Sequence, residues 1–156
     1  GASIPGYRYP ENIIYNAVQL GTHFVHNTKY TDPILLNAAL EKELCLVHVN
    51  QGDTKCNTVS VDANSAITSD NGIASALTFH GIDALVATPG HVKLESFPYG
   101  FLGGASGRVD DEIIFNGNLS NHPDYFRIKN FIEERKLRVV FFEDYPLEDI
   151  GSIIQL

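Results

Sequence analysis

The chain has 156 residues, of which 44% are hydrophobic and 19% charged, and its formal net charge is −8. This composition is typical of a soluble globular protein with its own core, so we expect residues 1–156 to form a single domain. The dispersed acidic surplus argues against nucleic acid as a partner, because phosphate binding needs clustered Lys and Arg. It is compatible with a small cationic or zwitterionic ligand.

Other classes are disfavoured by motifs that the sequence lacks. No apolar stretch approaches the length of a membrane helix, so no membrane partner is expected. His23 and His26 would face opposite sides of a strand, and Gly103–Gly107 lacks the lysine of a phosphate-binding loop, so neither a metal nor a cofactor is expected. Two cysteines are too few for a disulfide framework and predict a cytoplasmic location.

The predicted elements follow one order three times, in segments of about 12–51, 52–97 and 98–156. Each segment begins with a strand, a tight turn and a returning strand, which is typical of a β-hairpin. A helix and a strongly apolar third strand follow. The hairpins align without gaps over seven residues that begin at Leu20, Val61 and Val109. We therefore predict an α/β fold of tandem strand–strand–helix–strand modules.

Capping residues and apolar stripes predict the helices. In the first module Thr31 or Asp32 can cap the helix, with Pro33 in its first turn. In the third module Asn121 is the expected cap. The stripes have the spacing of one helix face, and their members are Leu36, Ala39 and Leu40, then Ile73, Ala76 and Leu77, then Ile128, Phe131 and Ile132.

The third strands are continuous apolar runs near 45–49, 84–88 and 137–142. Such runs suit strands that are buried on both faces, so we predict that these strands lie innermost, with the helices outside. Cys45 would then be a buried small hydrophobe. Polar loops follow these strands, and modules packed about a common axis would bring the loops together at one end, where a site could form.

These modules, with the motifs VNQGDTKCNTVSVDAN, GFLGGASGRVDDEIIFNG and YPLEDIGSIIQL, resemble the pentein fold over about residues 12–156. This is the α/β propeller of the guanidino-group-modifying enzymes, and the similarity is to an uncharacterised bacterial domain of unknown function. The family propeller has five modules, and three are visible here. The resemblance therefore implies a partial propeller, either the C-terminal part of a longer chain or a domain that forms a homo-oligomer.

The resemblance also implies a chemistry: a cysteine nucleophile in the closing segment, a histidine that opens an earlier module, and carboxylates that bind the guanidinium. The closing segment 148–154 contains no cysteine. Ser152 is the nearest substitute, and a serine without an adjacent base is a poor nucleophile. His91, in GHVKLESF, resembles the family histidine. Counting modules from the C-terminus instead places the position of that histidine in the earlier loop, near Asp53, Lys55 and Cys56. Both assignments stay open.

Two catalytic candidates follow, Cys56 and His91. Lys55 would lower the pKa of the neighbouring Cys56 thiol. Alternatively, Cys56 packs at a junction between modules and His91 is a hydrogen-bonded loop residue. The candidate ligand-binding residues are those that a common end of the modules would bring together: Asp53, Lys55, Lys93, Glu95, Asp149 and Ser152.

Three functions are compatible with these residues. The first is a non-catalytic domain that binds, or is regulated by, a small guanidino or amino-acid ligand, as the missing closing cysteine indicates. The second is an enzyme resembling amidinohydrolases or amidinotransferases, which would use Cys56 and His91. The third is a protein-interaction module resembling the ribosome anti-association factor that shares the pentein fold.

Overall fold

A computed structural model describes residue 1 and residues 3–155 of the chain. Nine strands and three α-helices are present in this part of the chain. The first module comprises β1 Val18–Leu20, β2 His23–His26, α1 Pro33–Glu41 and β3 Cys45–His48. The second comprises β4 Thr58–Asp62, β5 Ser65–Thr68, α2 Asn71–Phe79 and β6 Asp83–Val86. The third comprises β7 Ser106–Val109, β8 Glu112–Phe115, the 3-10 helix Leu119–Asn121, α3 Tyr125–Glu133 and β9 Arg138–Phe141.

The strands form three small sheets with the same topology. In each sheet the hairpin is antiparallel, and its returning strand pairs in parallel with the third strand across the helical connection. A helix is the usual connection between parallel strands, which cannot be joined by a tight turn. The predicted mixed α/β class is confirmed, and closure into a propeller stays a prediction.

The third strands are not innermost, so that prediction is wrong. Each lies at an edge of its sheet, whereas the first strands meet between sheets, β1 against β4 and β4 against β7. In β3 Val47 is fully buried but Cys45 and His48 are exposed. Two helices contact β3: α1 of the same module and α2 of the next module. They bury the middle of the strand, whereas its ends stay exposed. Cys45 is therefore not the buried residue that its apolar neighbours predicted.

The gapless hairpin alignment is also wrong by one residue in the second module. The strand β4 has a bulge between Ser60 and Asp62, which adds one residue to that strand. The residue pairs that close the three turns are Leu20 with His23, Asp62 with Ser65, and Val109 with Glu112.

The helices begin at aspartates. Asp32 caps α1 as predicted, since its Oδ1 accepts hydrogen bonds from the Ile34 and Leu35 N–H groups at 3.0 and 3.2 Å. The prediction of Asn121 as the third cap is wrong, because Asn121 ends the 3-10 helix and α3 begins only after Asp124. All three helices have nine residues, and none within the described part of the chain is long and apolar enough to cross a membrane.

The core lies between consecutive sheets. Helix α2 packs between the first and second sheets, and α3 between the second and third. Their stripe residues Ile73, Leu77, Ile128 and Ile132 are fully buried. In α1, by contrast, Ala39 is the one buried residue, and the side chains of Ile34 and Leu40 are 54% and 51% exposed. The first helix therefore has an apolar outer face that no described sheet covers.

Candidate functional site

Asn16, which precedes β1, holds the loop between β3 and β4 in place. Its Oδ1 accepts hydrogen bonds from the Lys55 and Cys56 N–H groups at 2.7 and 3.1 Å. Its Nδ2 lies 3.2 Å from Cys56 Sγ and 3.4 Å from Asp53 Oδ1. Asn16 was not among the residues predicted from the sequence, although an amide two residues before the first strand of a module is a signal that could have pointed to it.

The closing segment reaches the same region through Asp149. The Asp149 N–H donates to the Lys93 carbonyl at 2.8 Å. The carboxylate accepts hydrogen bonds from the Phe101 and Gly151 N–H groups, both at 3.0 Å. A Cβ at Gly104 would collide with this carboxylate, so the carboxylate fits only because residue 104 is a glycine.

The neighbouring glycine joins the loop to the closing segment. A Cβ at Gly103 would lie 2.5–2.6 Å from the carbonyl oxygens of Lys55, Cys56 and Thr58. The next residue, Gly104, donates its N–H to the Cys56 carbonyl at 2.7 Å. Gly103 and Gly104 thus let the backbone pack closely against the loop between β3 and β4, which fixes that loop relative to the closing segment.

A cavity of about 390 Å³ lies between the loop and the closing segment. Three of the predicted site residues, Lys55, Cys56 and Ser152, line it together with Asn16. The other residues that line the cavity are Pro5, Asn12, Tyr15, Ala17, Gly151 and Ile154. The volume is in the range of small-ligand pockets.

Within the cavity, Lys55 contacts Ser152 directly. Lys55 Nζ donates to Ser152 Oγ at 3.2 Å, and Ser152 Oγ donates to the Gly103 carbonyl at 2.9 Å. Burial lowers the pKa of Lys55. The backbone of Ser152 has a φ of 116°, which is rare for a residue other than glycine. The sequence alone indicated no base beside Ser152, whereas the structure places the Lys55 amine there.

Two of the predicted carboxylates, Asp53 and Asp149, accept hydrogen bonds from residues that line the cavity, Asn16 and Gly151. Burial raises the pKa of Asp53, and the nearby Asp149 carboxylate raises it further. Burial also raises the pKa of the Cys56 thiol, and both carboxylates add to that effect against the Asn16 hydrogen bond and Lys55, which lower it. Lys55 lowers the pKa of Cys56 as expected, but burial and the two carboxylates outweigh it, so the thiol is not a low-pKa thiol.

The remaining predicted residues have other partners. His91 makes a ring contact with His122 at a centroid distance of 5.2 Å. Lys93 pairs with Glu148 at 3.4 Å. Glu95 is exposed and makes no hydrogen bond or ion pair with the residues that the structure describes. These three residues do not line the cavity with Cys56.

No metal-binding group is evident around these side chains. Within residue 1 and residues 3–155, no cluster of three or more His, Cys, Asp or Glu side chains is arranged to hold a metal ion. The groups at this site that a ligand could contact are the carboxylates of Asp53 and Asp149, the amide of Asn16, the amine of Lys55, the hydroxyl of Ser152 and the thiol of Cys56.

The arrangement of the sheets and helices is shared with solved enzymes. C. jejuni agmatine deiminase is similar over 85% of this chain, with a TM-score of 0.53 and 8% sequence identity. A cysteine-to-serine variant of C. jejuni agmatine deiminase with substrate bound is similar over 82%, with a TM-score of 0.52 and 9% identity. The chain spans about half the length of these structures, 52% and 49%. At this identity the similarity shows the fold alone, which is pentein-like.

The sequence gives a more specific assignment. The chain belongs to the family of unknown function DUF6873, whose model matches residues 1–154. No curated protein matches the sequence.

Proposed function

We propose that this domain binds a small cationic or zwitterionic ligand, of guanidino or amino-acid type, at the cavity lined by Lys55 and Ser152. The observation that carries the proposal is that Asp53 and Asp149 accept hydrogen bonds from Asn16 and Gly151, which both line that cavity, and that Asp149 raises the pKa of Asp53. Neither carboxylate forms an ion pair with a described residue. Two carboxylates that repel each other at a half-buried position gain a counter-charge when a cation binds.

A guanidinium group suits this position because it is planar and always charged, and it can donate two parallel hydrogen bonds to a carboxylate. Asp53 is held by one hydrogen bond from Asn16, so it keeps unused acceptor capacity. The structural neighbours are named as agmatine deiminases, and agmatine carries a guanidino group. That likeness supports the ligand class, and the ligand itself has to be identified by experiment.

Binding fits the site better than thiol catalysis does. A nucleophilic cysteine reacts as the thiolate, and burial together with Asp149 and Asp53 keeps the Cys56 thiol protonated. A catalytic histidine has to reach its thiol, whereas His91 packs against His122. We therefore propose that the domain does not hydrolyse guanidino groups through Cys56. The roles of His91, Lys93 and Glu95 stay predictions.

The experiment is calorimetric titration of the protein with arginine, which carries a carboxylate besides its two cationic groups, and with agmatine, which carries two cationic groups and no carboxylate. Asp53→Asn removes one charge and is expected to weaken binding at least about tenfold, because a hydrogen bond to a charged group contributes about 1.5–3 kcal/mol. Glu41→Gln, an exposed carboxylate at the end of α1, is the matched control and should leave the affinity unchanged.

Two results would count against this function. If neither ligand binds, or if Asp53→Asn binds as tightly as the wild type, the carboxylate pair is not a binding site. Steady release of ammonia from either compound, abolished by Cys56→Ala, would support the enzyme hypothesis instead.

A further inference from the structure

The hydroxyl of Ser152 lies beside an amine in a cavity that a small molecule can enter. Lys55 Nζ is 3.2 Å from Ser152 Oγ, within reach for proton transfer, and both residues line the cavity of about 390 Å³. We infer that Ser152 and Lys55 form a nucleophile–base pair that transfers the acyl group of small esters or amides. This activity goes beyond the proposed ligand binding and does not depend on it, since the step uses neither Asp53 nor Asp149.

Lys55 has the surroundings of a general base. No Asp or Glu side chain forms an ion pair with Lys55 in the described part of the chain, so no ion pair stabilises the ammonium form. Burial lowers its pKa, which increases the fraction of neutral amine near neutral pH. Its backbone is fixed, because the Lys55 N–H donates to both the backbone oxygen and Oδ1 of Asn16, at 3.0 and 2.7 Å.

Ser152 has the backbone of a strained turn. Gly151 and Ser152 both have positive φ values, 91° and 116°, and at Ser152 the side chain makes this conformation unfavourable. Strained residues of this kind cluster at functional sites, and the nucleophilic serine of many hydrolases sits on a strained turn. The Ser152 N–H makes no hydrogen bond with a described residue, so it can donate to a negatively charged oxygen next to the nucleophile.

The reaction uses only the substrate, water and the side chains of Ser152 and Lys55. The Ser152 hydroxyl turns its proton from the Gly103 carbonyl to Nζ, and the neutral Lys55 amine takes that proton while Oγ attacks the carbonyl carbon of the ester or amide. The tetrahedral intermediate collapses, the C–O or C–N bond to the leaving group breaks, and the Lys55 ammonium returns the proton to that group. Water then attacks the acyl-serine, Lys55 takes the water proton, and the acid is released as Ser152 regains its hydrogen.

The test is covalent labelling of the intact protein with a small fluorophosphonate, followed by mass spectrometry of its peptides. Oγ forms a P–O bond, the P–F bond breaks, and fluoride leaves. We expect the label on Ser152, with a rate that rises with pH and levels off below the pH at which an ordinary lysine would deprotonate. Ser152→Ala should abolish labelling.

Variants of Lys55 separate a base from a residue that merely positions Ser152. Lys55→Arg keeps a positive charge and a hydrogen-bond donor but cannot accept the proton, so labelling should slow at least about a hundredfold. Lys55→Met should slow it similarly. Ser96 is the matched control, because it is a loop serine that also has a positive φ, 66°, and it makes no hydrogen bond with a lysine. Ser96→Ala should label at the wild-type rate.

The labelling results decide the inference independently of the titration. Absence of label on Ser152 in the folded wild-type protein between about pH 7 and about pH 10 would overturn it. Equal rates in the wild type and Lys55→Arg would also overturn it, because Ser152 would then react without a base. Ligand binding is measured on the wild type without the probe, so either proposal can fail while the other stands.

Discussion

The backbone strain at Ser152 can be measured by comparing two substitutions at that position. Ser152→Gly and Ser152→Ala both remove the hydroxyl and its hydrogen bonds to Lys55 and Gly103. They differ in the backbone, because φ at this position is 116° and glycine adopts that value without a Cβ clash. We therefore expect the glycine variant to be more stable than the alanine variant.

The magnitude follows from two opposing effects. A residue other than glycine lowers the free energy of unfolding by about 1–3 kcal/mol when its φ is positive. Glycine lowers it by about 0.5–1 kcal/mol, because the unfolded chain is more flexible at a glycine. The net advantage of Ser152→Gly over Ser152→Ala is about 1 kcal/mol. For a chain of this size that difference corresponds to a Tm higher by about 2–4 °C.

The assay is urea and thermal unfolding of both variants, with the same pair of substitutions at Ser75 as a control. Ser75 is exposed in the middle of α2, where glycine is less favourable than alanine by about 1 kcal/mol, so the sign is reversed. If Ser152→Gly is no more stable than Ser152→Ala while the Ser75 pair shows its expected order, the backbone at Ser152 is not strained and the argument for a nucleophile turn loses its support.

Two further predictions concern stability. Gly103→Ala should lower the free energy of unfolding by about 3 kcal/mol in urea titration, because its Cβ would press on three backbone carbonyl oxygens that cannot rotate away, and an unchanged midpoint would contradict this. Asp124 should stabilise the fold above about pH 4 and lose that contribution as the pH falls towards 2, since the Thr88 N–H hydrogen bond at 2.7 Å chiefly lowers the pKa of its carboxyl to about 2. Asp124→Asn should flatten that part of the stability–pH curve, and a curve parallel to that of the wild type would refute the assignment.

Much of the fold could be predicted because it depends on local patterns. Alternation, capping and helical stripes located three hairpins and three helices, and Asp32 caps α1 as its sequence context predicts. The order of strands within a sheet could not be predicted from the apolar runs, because β3 is apolar where two helices cover its middle and yet lies at an edge. The bulge in β4 left no signal in the sequence that distinguishes it from a regular strand.

The site was only partly predictable, since it depends on contacts between distant segments. Residue type and loop position were enough to select Asp53, Lys55 and Ser152. Neither revealed that Lys55 touches Ser152 across 97 residues of sequence. Asn16 was missed for the same reason, because its role consists entirely of contacts with a loop about forty residues away. His91 was selected by resemblance alone, and its contact with His122 could not be anticipated.

Burial has opposite chemical consequences for the two neighbouring side chains Lys55 and Cys56. Removing water disfavours the charged form of each, so it lowers the pKa of the lysine and raises that of the thiol. A neutral amine is an effective base, whereas a neutral thiol is a poor nucleophile. The carboxylates Asp53 and Asp149 disfavour the thiolate further. If Ser152 and Lys55 form the inferred nucleophile–base pair, the same burial that disfavours the Cys56 thiolate therefore favours the neutral amine that the pair needs.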